Sequence, residues 1–336
     1  MQKQYDVTAL GELLIDFTEN GVSEQGNALL EANPGGAPCN VLAMLQKLGK
    51  RTAFIGKVGK DQFGRLLKET IESAGIDSRN LVMDEEVNTT LAFVHTDKDG
   101  DRDFSFYRNP GADMMLTKFE IQPAVIESSK IFHFGTLSFT HEEVKEATKF
   151  AVKCAKEAGI HISFDPNLRE LLWKDLEDAK KAMAYGFQNC DILKIADNEL
   201  QFFTGEEDFD QAVSILQENY KIPLICVTLG KDGSRAYYKG KRVAAKPFLQ
   251  DATIETTGAG DTFTGCMLKF VLEKGLDDLT ESDLAEMLIF ANAGASLITT
   301  RRGALKVMPE KKKLKKLYRD VVVHRNHNVP NFFTFV

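Results

Sequence analysis

The chain is organised around one glycine-rich stretch, Ile254-Glu255-Thr256-Thr257-Gly258-Ala259-Gly260-Asp261-Thr262-Phe263. After it, apolar residues recur at spacings of three and four, a pattern typical of one buried helix face: Phe263, Cys266, Met267, Phe270 and Val271. Gly275 stands where a glycine C-cap would end that helix. The stretch therefore predicts a glycine turn that leads directly into the N-terminus of a helix.

The predicted helix start favours an anion, because its first amide N–H groups have no partner within the helix and the helix dipole is positive there. A carboxylate beside such a site is costly unless it has a task, and Asp261 is that carboxylate. We therefore hypothesise that Asp261 is a general base beside a phosphate pocket. The alternative is that Asp261 simply caps the helix and the glycines only form a turn.

Length and composition are those of an ordinary globular protein. The 336 residues are 43% hydrophobic and 27% charged, which suits one large α/β domain or two smaller ones. The net charge of −7 argues against a nucleic-acid partner, since binding to the phosphate backbone needs a basic surface. The one basic run, from Lys311 to Lys316, is predicted to be a solvated face of the last helix.

The cysteines and the N-terminus indicate the compartment. The five cysteines are far apart and form no C-x-x-C pair, which predicts buried reduced thiols: Cys39, Cys154, Cys190, Cys226 and Cys266. The first residues do not resemble a signal peptide, and no apolar run approaches membrane-spanning length. We expect a cytoplasmic protein without a membrane partner.

From Lys130 onward, short apolar runs alternate with amphipathic helical patterns. The predicted strands lie at 131–134, 160–164, 192–195 and 224–228, and the predicted helices between them at 141–158, 175–187 and 209–219. An earlier strand at 52–58 precedes a helix at 61–74 that Gly75 would end. Strands that alternate with helices in this way indicate βαβ units and a parallel sheet covered on both faces.

The β-rich region 90–108 breaks this alternation. Two predicted strands, 91–96 and 103–108, flank an Asp-Gly pair, which is a strong hairpin signal. A calcium loop is excluded here, because the sixth and twelfth positions counted from Asp97 are both arginine. With segment 12–36 as its partner, the region predicts a small sheet that projects from the main domain.

A second glycine turn, Asn33-Pro34-Gly35-Gly36-Ala37-Pro38, leads into a helix that Gly49 would end. A Gly-Gly pair before a helix lets backbone N–H groups approach a ligand closely. Asn40, in the first helical turn, is well placed to hydrogen-bond that ligand. The alternative is a plain turn followed by a helix start.

Polar or glycine-rich segments follow three of the predicted parallel strands. They are Asp165-Pro166-Asn167-Leu168-Arg169, then Lys194 with Asp197, Asn198 and Glu199, and then Thr228-Leu229-Gly230-Lys231-Asp232-Gly233. Ligands of such sheets bind at the carboxyl ends of the strands. Each segment alone fits a cap or a turn, but their shared position favours a ligand site at this edge.

Several phosphate-binding and catalytic motifs do not fit the chain. Neither 230–233 nor 258–265 supplies the Lys-Ser/Thr end of a P-loop. The glycines at 258, 260 and 265 miss the third spacing of a dinucleotide fingerprint. The sequence also lacks the H-R-D and D-F-G motifs of protein kinases and the G-x-S-x-G elbow of serine hydrolases.

Motifs along nearly the whole chain resemble those of the ribokinase (PfkB) family of carbohydrate kinases. The matching segments are Gly11-Glu12 with Asp16, Pro34-Gly35-Gly36 with Asn40, Leu48-Gly49, Gly56-Lys57-Val58-Gly59 before Asp61 and Gly64, Phe164-Asp165-Pro166-Asn167-Leu168-Arg169, Thr228-Leu229-Gly230 with Gly233, and Thr256-Thr257-Gly258-Ala259-Gly260-Asp261-Thr262-Phe263. Within the family, the run Phe106-Tyr107-Arg108-Asn109-Pro110-Gly111-Ala112-Asp113 is most similar to fructokinases.

The resemblance implies an α/β fold, a ribokinase-like three-layer sandwich with a mostly parallel central sheet and a small β-sheet lid. The nucleotide- and sugar-binding domain would comprise residues 1–11, 38–88 and 116–336, and the lid residues 12–37 and 89–115. The implied activity is ATP-dependent phosphorylation of D-fructose to fructose 6-phosphate. The alternatives are another sugar kinase of the family, acting on ribose or 2-keto-3-deoxygluconate, and a catalytically silent sugar-sensing relative.

The family pattern also implies the roles of individual residues. Asp261 would take the hydroxyl proton, and N–H groups for the transferring phosphoryl group would come from Gly258, Ala259 and Gly260. The sugar would be held by Asp16, Gly35, Gly36, Asn40, Phe106, Arg108 and Asn167. Arg169 would reach the phosphates, and the nucleotide would be bordered by Lys194, Thr228, Gly230, Gly233, Gly258, Gly260 and Asn292.

The implied cofactors are ATP and Mg²⁺, with Glu199 acting on the metal through water. Two positions depart from the family pattern. The magnesium motif N-x-x-E reads Ala196-Asp197-Asn198-Glu199. Glu255 replaces the aspartate that begins the monovalent-cation loop, and as a longer acid it is the candidate residue for binding K⁺. A homodimer that pairs two lids through their exposed strand edges is expected. The tail 322–336 matches no known motif.

Overall fold

The computed structural model of the chain describes residues 3–96, 102–324 and 333–335. Its strands are β1 (Tyr5–Leu10), β2 (Leu14–Val22), β3 (Ala28–Gly35), β4 (Thr52–Gly59), β5 (Asp77–Asp84), β6 (Leu91–Thr96), β7 (Arg102–Tyr107), β8 (Ser129–Phe134), β9 (His161–Phe164), β10 (Ile192–Ala196), β11 (Leu224–Thr228), β12 (Ser234–Tyr238), β13 (Lys241–Ala245) and β14 (Phe333–Phe335). Its α-helices are α1 (Ala37–Lys47), α2 (Gln62–Ser73), α3 (Pro123–Glu127), α4 (Glu142–Glu157), α5 (Leu176–Asn189), α6 (Asp197–Thr204), α7 (Phe209–Tyr220), α8 (Ala259–Lys274), α9 (Glu281–Ile298) and α10 (Lys311–His324).

A ten-stranded sheet forms the centre of the fold, in the order β14-β13-β12-β11-β10-β9-β8-β1-β4-β5. From β11 to β5 all neighbours are parallel, which confirms the predicted parallel sheet. The strands β12, β13 and β14 extend it in antiparallel fashion, which the sequence analysis does not predict. Lys239 and Gly240, with φ of 46° and 77°, form the two-residue turn between β12 and β13, and such turns favour a hairpin.

The helices cover both faces of this sheet, and each face buries its own hydrophobic core. One core joins α1, α8 and α9 to the sheet, and the other joins α4, α5 and α7. The predicted apolar stripe of α8 is confirmed, because Phe263, Cys266 and Met267 are at most 1% exposed and Gly275 ends the helix. All five cysteines are buried and free, as predicted.

A separate four-stranded sheet has the order β3-β2-β6-β7 and corresponds to the predicted lid. The rings of Phe17 on β2 and Phe93 on β6 stack at a centroid distance of 4.9 Å. Phe17 also contacts Phe63 of α2 edge-on at 5.6 Å, which attaches the small sheet to the main domain. The predicted Asp-Gly turn between β6 and β7 lies outside the described residues, and the proposed domain boundaries stay a prediction.

The basic run on α10 has the predicted solvated character, since its lysines are exposed while Leu314 is buried. The strand β14, from the tail, pairs with β13 at the edge of the large sheet. None of the helices in the described ranges is both long and apolar enough to cross a membrane.

Helices α1 and α8 approach each other closely through Gly265. A Cβ at this position would lie 2.8 Å from Met44 Cβ and 3.1 Å from the Val41 carbonyl oxygen. Both are firmly held atoms of α1, so an added methyl group would push the helices apart. This contact fixes the distance between two helices whose N-termini both point into the cleft described below.

Gly265→Ala is expected to lower the free energy of unfolding by about 1–2 kcal/mol, because overpacking of a tight helix contact outweighs the gain in helix propensity. Urea unfolding followed by circular dichroism measures this change. Ser214→Ala on the exposed face of α7 is the control and should change stability by less than about 0.5 kcal/mol. A Gly265→Ala protein as stable as the parent would contradict the close contact.

Candidate active site

A cleft of about 810 Å³ opens between the carboxyl ends of the parallel strands and the small sheet. Many of the predicted site residues line it: Asp16, Gly36, Asn40, Phe106, Asn167, Arg169, Lys194, Glu255, Gly258, Gly260 and Asp261. The other predicted residues lie outside its lining: Gly35, Arg108, Glu199, Thr228, Gly230, Gly233, Ala259 and Asn292. Segments from both halves of the chain therefore meet at one edge of the sheet.

Asp261 lies in the first turn of α8 with its carboxylate in the cleft. Desolvation raises the pKa of this carboxyl to about 6, and the hydrogen bond from Asn40 opposes the rise. In that bond, Asn40 Nδ2 donates to Asp261 Oδ2 at 2.8 Å. The carboxylate is therefore ionised near neutral pH but more basic than an exposed aspartate, as suits a general base.

The turn before α8 leaves part of the helix N-terminus open. Gly258 is the N-cap, with φ of 76°, and no side chain caps the helix. The Ala259 amide donates to Thr256 O at 3.2 Å. Gly258 and Gly260 also line the cleft, so their backbone is accessible to a ligand. The arrangement can bind an anion, and Ala259 is the weakest of the three predicted donors.

The sugar side of the cleft is built around the second glycine turn. A Cβ at Gly35 would lie 2.6 Å from Asp16 Oδ2, so glycine lets this carboxylate lie against the backbone. Burial raises the pKa of Asp16 to about 6, although the charge of Arg169 lowers it. Asn40 Oδ1 is buried and has no hydrogen-bond partner among the described residues. An unpaired buried acceptor of this kind favours a ligand that brings a donor.

Lys194 on β10 lies beneath the glycine turn. Its side chain is buried, and its ammonium lies 3.2 Å from Asp165 Oδ2. Burial alone would lower the pKa of Lys194, but the charges of Asp165, Glu199 and Asp261 outweigh this and raise it. A Cβ at Gly260 would lie 3.0 Å from the ammonium, so the lysine is close to the predicted anion site.

The loop after β9 brings Asn167 and Arg169 to the cleft. Asn167 adopts a left-handed φ of 44°, and its amide donates to Asp165 Oδ1 at 3.2 Å. Arg169 is exposed, and its guanidinium donates only to the neighbouring Leu168 carbonyl within the described residues, at 3.3 Å. This guanidinium is therefore available to an anionic ligand.

Arg108 makes a buried ion pair with Asp113 at 2.6 Å, next to the cleft wall. It also donates to Thr140 Oγ1 at 2.7 Å and to the carbonyl oxygen of Leu137, a lining residue, at 3.2 Å. These contacts support the wall. Direct contact of Arg108 with a sugar stays a prediction.

The predicted nucleotide residues lie past β11 and on α9. The Thr228 hydroxyl donates to Ile195 O at 3.5 Å, and Gly230 and Gly233 have positive φ values of 53° and 99°. Asn292 is buried, accepts from Ser234 Oγ at 2.9 Å and donates to Lys246 O at 3.1 Å. Asn292 thus ties α9 to the end of the β12–β13 hairpin, and the nucleotide contacts stay predictions.

The two predicted metal residues differ in their surroundings. Glu199 is buried and accepts hydrogen bonds from the amides of Leu168 at 2.7 Å and Ala196 at 2.8 Å. Burial raises the pKa of Glu199, and the charge of Lys194 opposes this. Glu255 Oε1 accepts from the Gly303 amide at 3.0 Å. The described residues contain no cluster of three or more His, Cys, Asp or Glu side chains able to hold a metal.

Three parts of the site are missing from the predicted set of residues. Asp165 directly follows β9 and pairs with Lys194; its position after a buried strand was the available signal. Glu12 lines the cleft after β1. The loop Arg302-Gly303-Ala304 also lines it, and a Cβ at Gly258 would lie 2.8 Å from Ala304 Cβ. No motif in the sequence marks that loop.

Curated relatives share the sequence over most of the chain. This chain is 40% identical over 306 residues to probable fructokinase-2 of Arabidopsis thaliana, and the matched region covers 90% of this chain and 92% of the relative. Fructokinase-1 of Zea mays is also 40% identical over 306 residues, covering 90% of this chain and 94% of the relative.

Solved structures share the fold and the small sheet. The fructokinase with bound ATP from Xylella fastidiosa has a TM-score of 0.86 and 28% identity, covering 96% of this chain and 100% of that one. The Vibrio cholerae O395 fructokinase with bound fructose, ADP and calcium ion has a TM-score of 0.83 and 28% identity, covering 94% and 99%. Residues 4–311 match the sequence pattern described as pfkB family carbohydrate kinase. The chain belongs to this family of carbohydrate kinases.

Proposed function

We propose that the protein transfers the γ-phosphoryl group of ATP to the 6-hydroxyl of D-fructose and so forms fructose 6-phosphate. The observation that carries the proposal is the Asp261 carboxylate, which Asn40 holds at the open N-terminus of α8. The relatives named fructokinase, at 40% identity, support fructose as the substrate. So do the similar structures solved with ATP and with fructose and ADP.

Asp261 takes the proton of the sugar hydroxyl as the oxygen attacks phosphorus. A positioned base of this kind contributes roughly 10²–10⁴-fold to the rate. The amides of Gly258 and Gly260, with the positive end of the α8 dipole, stabilise the charge on the transferring phosphoryl group. Positioning and electrostatic stabilisation provide most of the catalysis in phosphoryl transfer, so this short turn carries much of the chemistry.

The sugar lies against Asp16 and the second glycine turn, which meet at Gly35. Asp16 accepts hydrogen bonds from sugar hydroxyls, and the unpaired Oδ1 of Asn40 accepts another. The backbone at Gly35 and Gly36 approaches the sugar closely because neither residue has a Cβ. Phe106, Arg108 and Asn167 complete this proposed set, with Phe106 and Asn167 on the cleft lining.

The phosphates of ATP are bound by cationic side chains. Arg169 offers an exposed guanidinium and Lys194 a buried ammonium beside the glycine turn. Thr228, Gly230, Gly233 and Asn292 border the rest of the nucleotide.

Mg²⁺ bound with ATP neutralises phosphate charge. Mg²⁺ keeps much of its water and needs few protein ligands, which fits Glu199 acting through water. Glu255 remains a proposed position for K⁺, with one oxygen already bonded to Gly303.

We also propose that the small sheet closes over the cleft and pairs with the same sheet of a second copy. Among the described strands its outer ones are β3 and β7, and outer strands present backbone groups that can pair with another chain. Large apolar side chains are exposed on it, with Val22 67%, Leu29 47% and Tyr107 68% accessible. Exclusion of water by such a lid protects the γ-phosphate from hydrolysis.

A coupled assay of ADP release tests the substrate. We expect the highest kcat/KM with fructose in a panel that also contains ribose, 2-keto-3-deoxygluconate, adenosine and inosine, because the relatives are named fructokinases. A higher value with any other member would contradict the fructose assignment. Binding of sugar and ATP without ADP release would point to a silent relative.

Asp261→Asn is expected to reduce kcat by about 10²–10⁴-fold, because the amide cannot take a proton from the sugar. The amide oxygen can still accept from Asn40, so fructose binding measured by calorimetry should persist. Asp278→Asn, at an exposed position outside the cleft lining, is the control and should leave kcat unchanged. Near-normal turnover of Asp261→Asn would exclude this residue as the base.

The activity should have an acid limb with a midpoint near pH 6. Below the raised pKa of Asp261, about 6, the carboxyl is protonated and cannot accept the hydroxyl proton, so kcat falls as the pH drops through this value. The pH dependence of kcat at saturating fructose measures it. Asp16 also has a pKa of about 6, so a second variant is needed to assign the limb.

Asn40→Ala makes that assignment. The hydrogen bond from Asn40 lowers the pKa of Asp261 but is not a cause of the Asp16 shift. Its loss is expected to move the acid limb to higher pH if Asp261 is the titrating base. A limb that stays in place would assign it to another group.

A further inference from the structure

Glu12 is a buried carboxylate that the proposed chemistry leaves without a role. It follows β1 and lines the cleft, and it is only 6% exposed. Its Oε1 accepts a hydrogen bond of 2.7 Å from the amide of Ala37, the first residue of α1. A buried acid is costly unless its oxygens are satisfied, and here an amide from a distant segment satisfies one of them.

The start of α1 has no cap of its own. Its N-cap is Gly36, with φ of 127°, and no side chain caps the helix from that position. A Cβ at Gly36 would lie 2.4 Å from the Glu12 carbonyl oxygen. This excludes Ser, Thr, Asp and Asn, the residues that ordinarily cap helices. The first turn also lacks an acidic residue. The Glu12 carboxylate therefore supplies what the local sequence cannot.

The first turn of α1 carries Asn40. The Asn40 amide donates to Gly36 O at 3.0 Å, and its side chain donates to Asp261 at 2.8 Å. A rotation of the Gly36–Ala37 peptide would therefore displace Asn40 and, through it, the Asp261 carboxylate. A short series of hydrogen bonds thus connects Glu12 to the proposed base.

Glu12 and Asp261 are also connected through a shared cavity. Both residues line a small cavity of about 10 Å³, a volume that suits one water molecule, together with Asp165 and Asn167. The carboxylate is therefore part of the wall behind the reacting groups and not only a distant helix cap.

We propose that Glu12 is a positioning residue for the phosphoryl transfer, because its carboxylate caps α1 from outside the helix and so fixes Asn40 against Asp261. This inference rests on the proposed function, since it assigns Glu12 to that reaction. Glutamine keeps an oxygen that can accept from Ala37, whereas alanine leaves this amide unsatisfied. The two substitutions therefore separate the capping bond from other properties of the side chain.

Steady-state kinetics of Glu12→Ala and Glu12→Gln test the proposal. Glu12→Ala is expected to lower kcat/KM for fructose by about 10-fold, which is the factor that corresponds to the free energy of a lost helix cap. The KM for ATP is expected to change by less than about twofold. Glu12→Gln should recover most of the loss. If Glu12→Ala does not fold, Glu12→Asp replaces it, because the shorter side chain of aspartate ends farther from Ala37. The same loss of kcat/KM for fructose, with little change in KM for ATP, is then expected.

Asp208→Ala is the matched control. Asp208 caps α7 with its carboxylate, accepts from the amides of Asp210 and Gln211 at 2.9 Å, and lies outside the cleft lining. Its loss is expected to lower the melting temperature while both KM values and kcat stay at parent levels. A purely structural role of Glu12 would give this same pattern.

Three results would overturn the proposal. The first is a Glu12→Ala protein with unchanged kcat/KM for fructose. The second is a Glu12→Ala protein whose KM for ATP rises as much as its KM for fructose. The third is a Glu12→Gln protein as impaired as the Glu12→Ala protein. If the parent protein does not phosphorylate fructose, the proposed function fails instead. The same ratios are then measured with the sugar that the assay panel identifies, which tests Glu12 separately.

Discussion

The hydrogen bond between Asn40 and Asp261 joins the two helix N-termini on which the rest of the site depends. One helix starts after the Gly35-Gly36 pair and the other after Gly258, so each presents glycine backbone to the cleft. Close packing of α1 and α8 at Gly265 sets the distance between them. A sugar bound at the first turn and a phosphate bound at the second are thereby brought together with the carboxylate between them.

The electrostatics of the cleft follow from desolvation of several carboxylates around few cations. Burial raises the pKa values of Asp16 and Asp261 to about 6, as expected for acids that share a poorly solvated space. The charge of Arg169 opposes this rise at Asp16, and the hydrogen bond from Asn40 and the charge of Lys194 oppose it at Asp261. Lys194 is itself held by Asp165 at 3.2 Å, and its ammonium lies close to Gly260 in the glycine turn. One buried cation serves both the base and the anion site.

The sequence predicted the parts of the fold that depend on local patterns. Helix α8, the strands from β8 to β11 and both glycine turns have strong periodic or turn signals. The antiparallel β12–β13 hairpin was missed, because its Lys239-Gly240 turn is a weaker signal than an Asp-Gly pair. Glu12 and the loop at 302–304 could not be assigned roles, since these arise only when the sheet brings distant segments together. The Gly11-Glu12 motif marks the position of Glu12 but not its partner on α1, and no motif marks the loop.

Helix caps differ between the longer helices that support the fold and the two helices that start in the cleft, although the short helices α3 and α6 also lack a capping bond from their N-cap side chain. Helices α2, α4, α5, α7 and α9 are each capped by a side chain: Asp61, His141, Asp175, Asp208 and Thr280. The two helices that start in the cleft, α1 and α8, have glycine caps without a side-chain bond. A cap is worth about 1 kcal/mol, so these open ends cost stability. That cost is consistent with N-termini kept free for substrate, and a carboxylate from elsewhere compensates for it only at α1. At α8, where the phosphoryl group would lie, a permanent carboxylate on the amides would compete with the ligand.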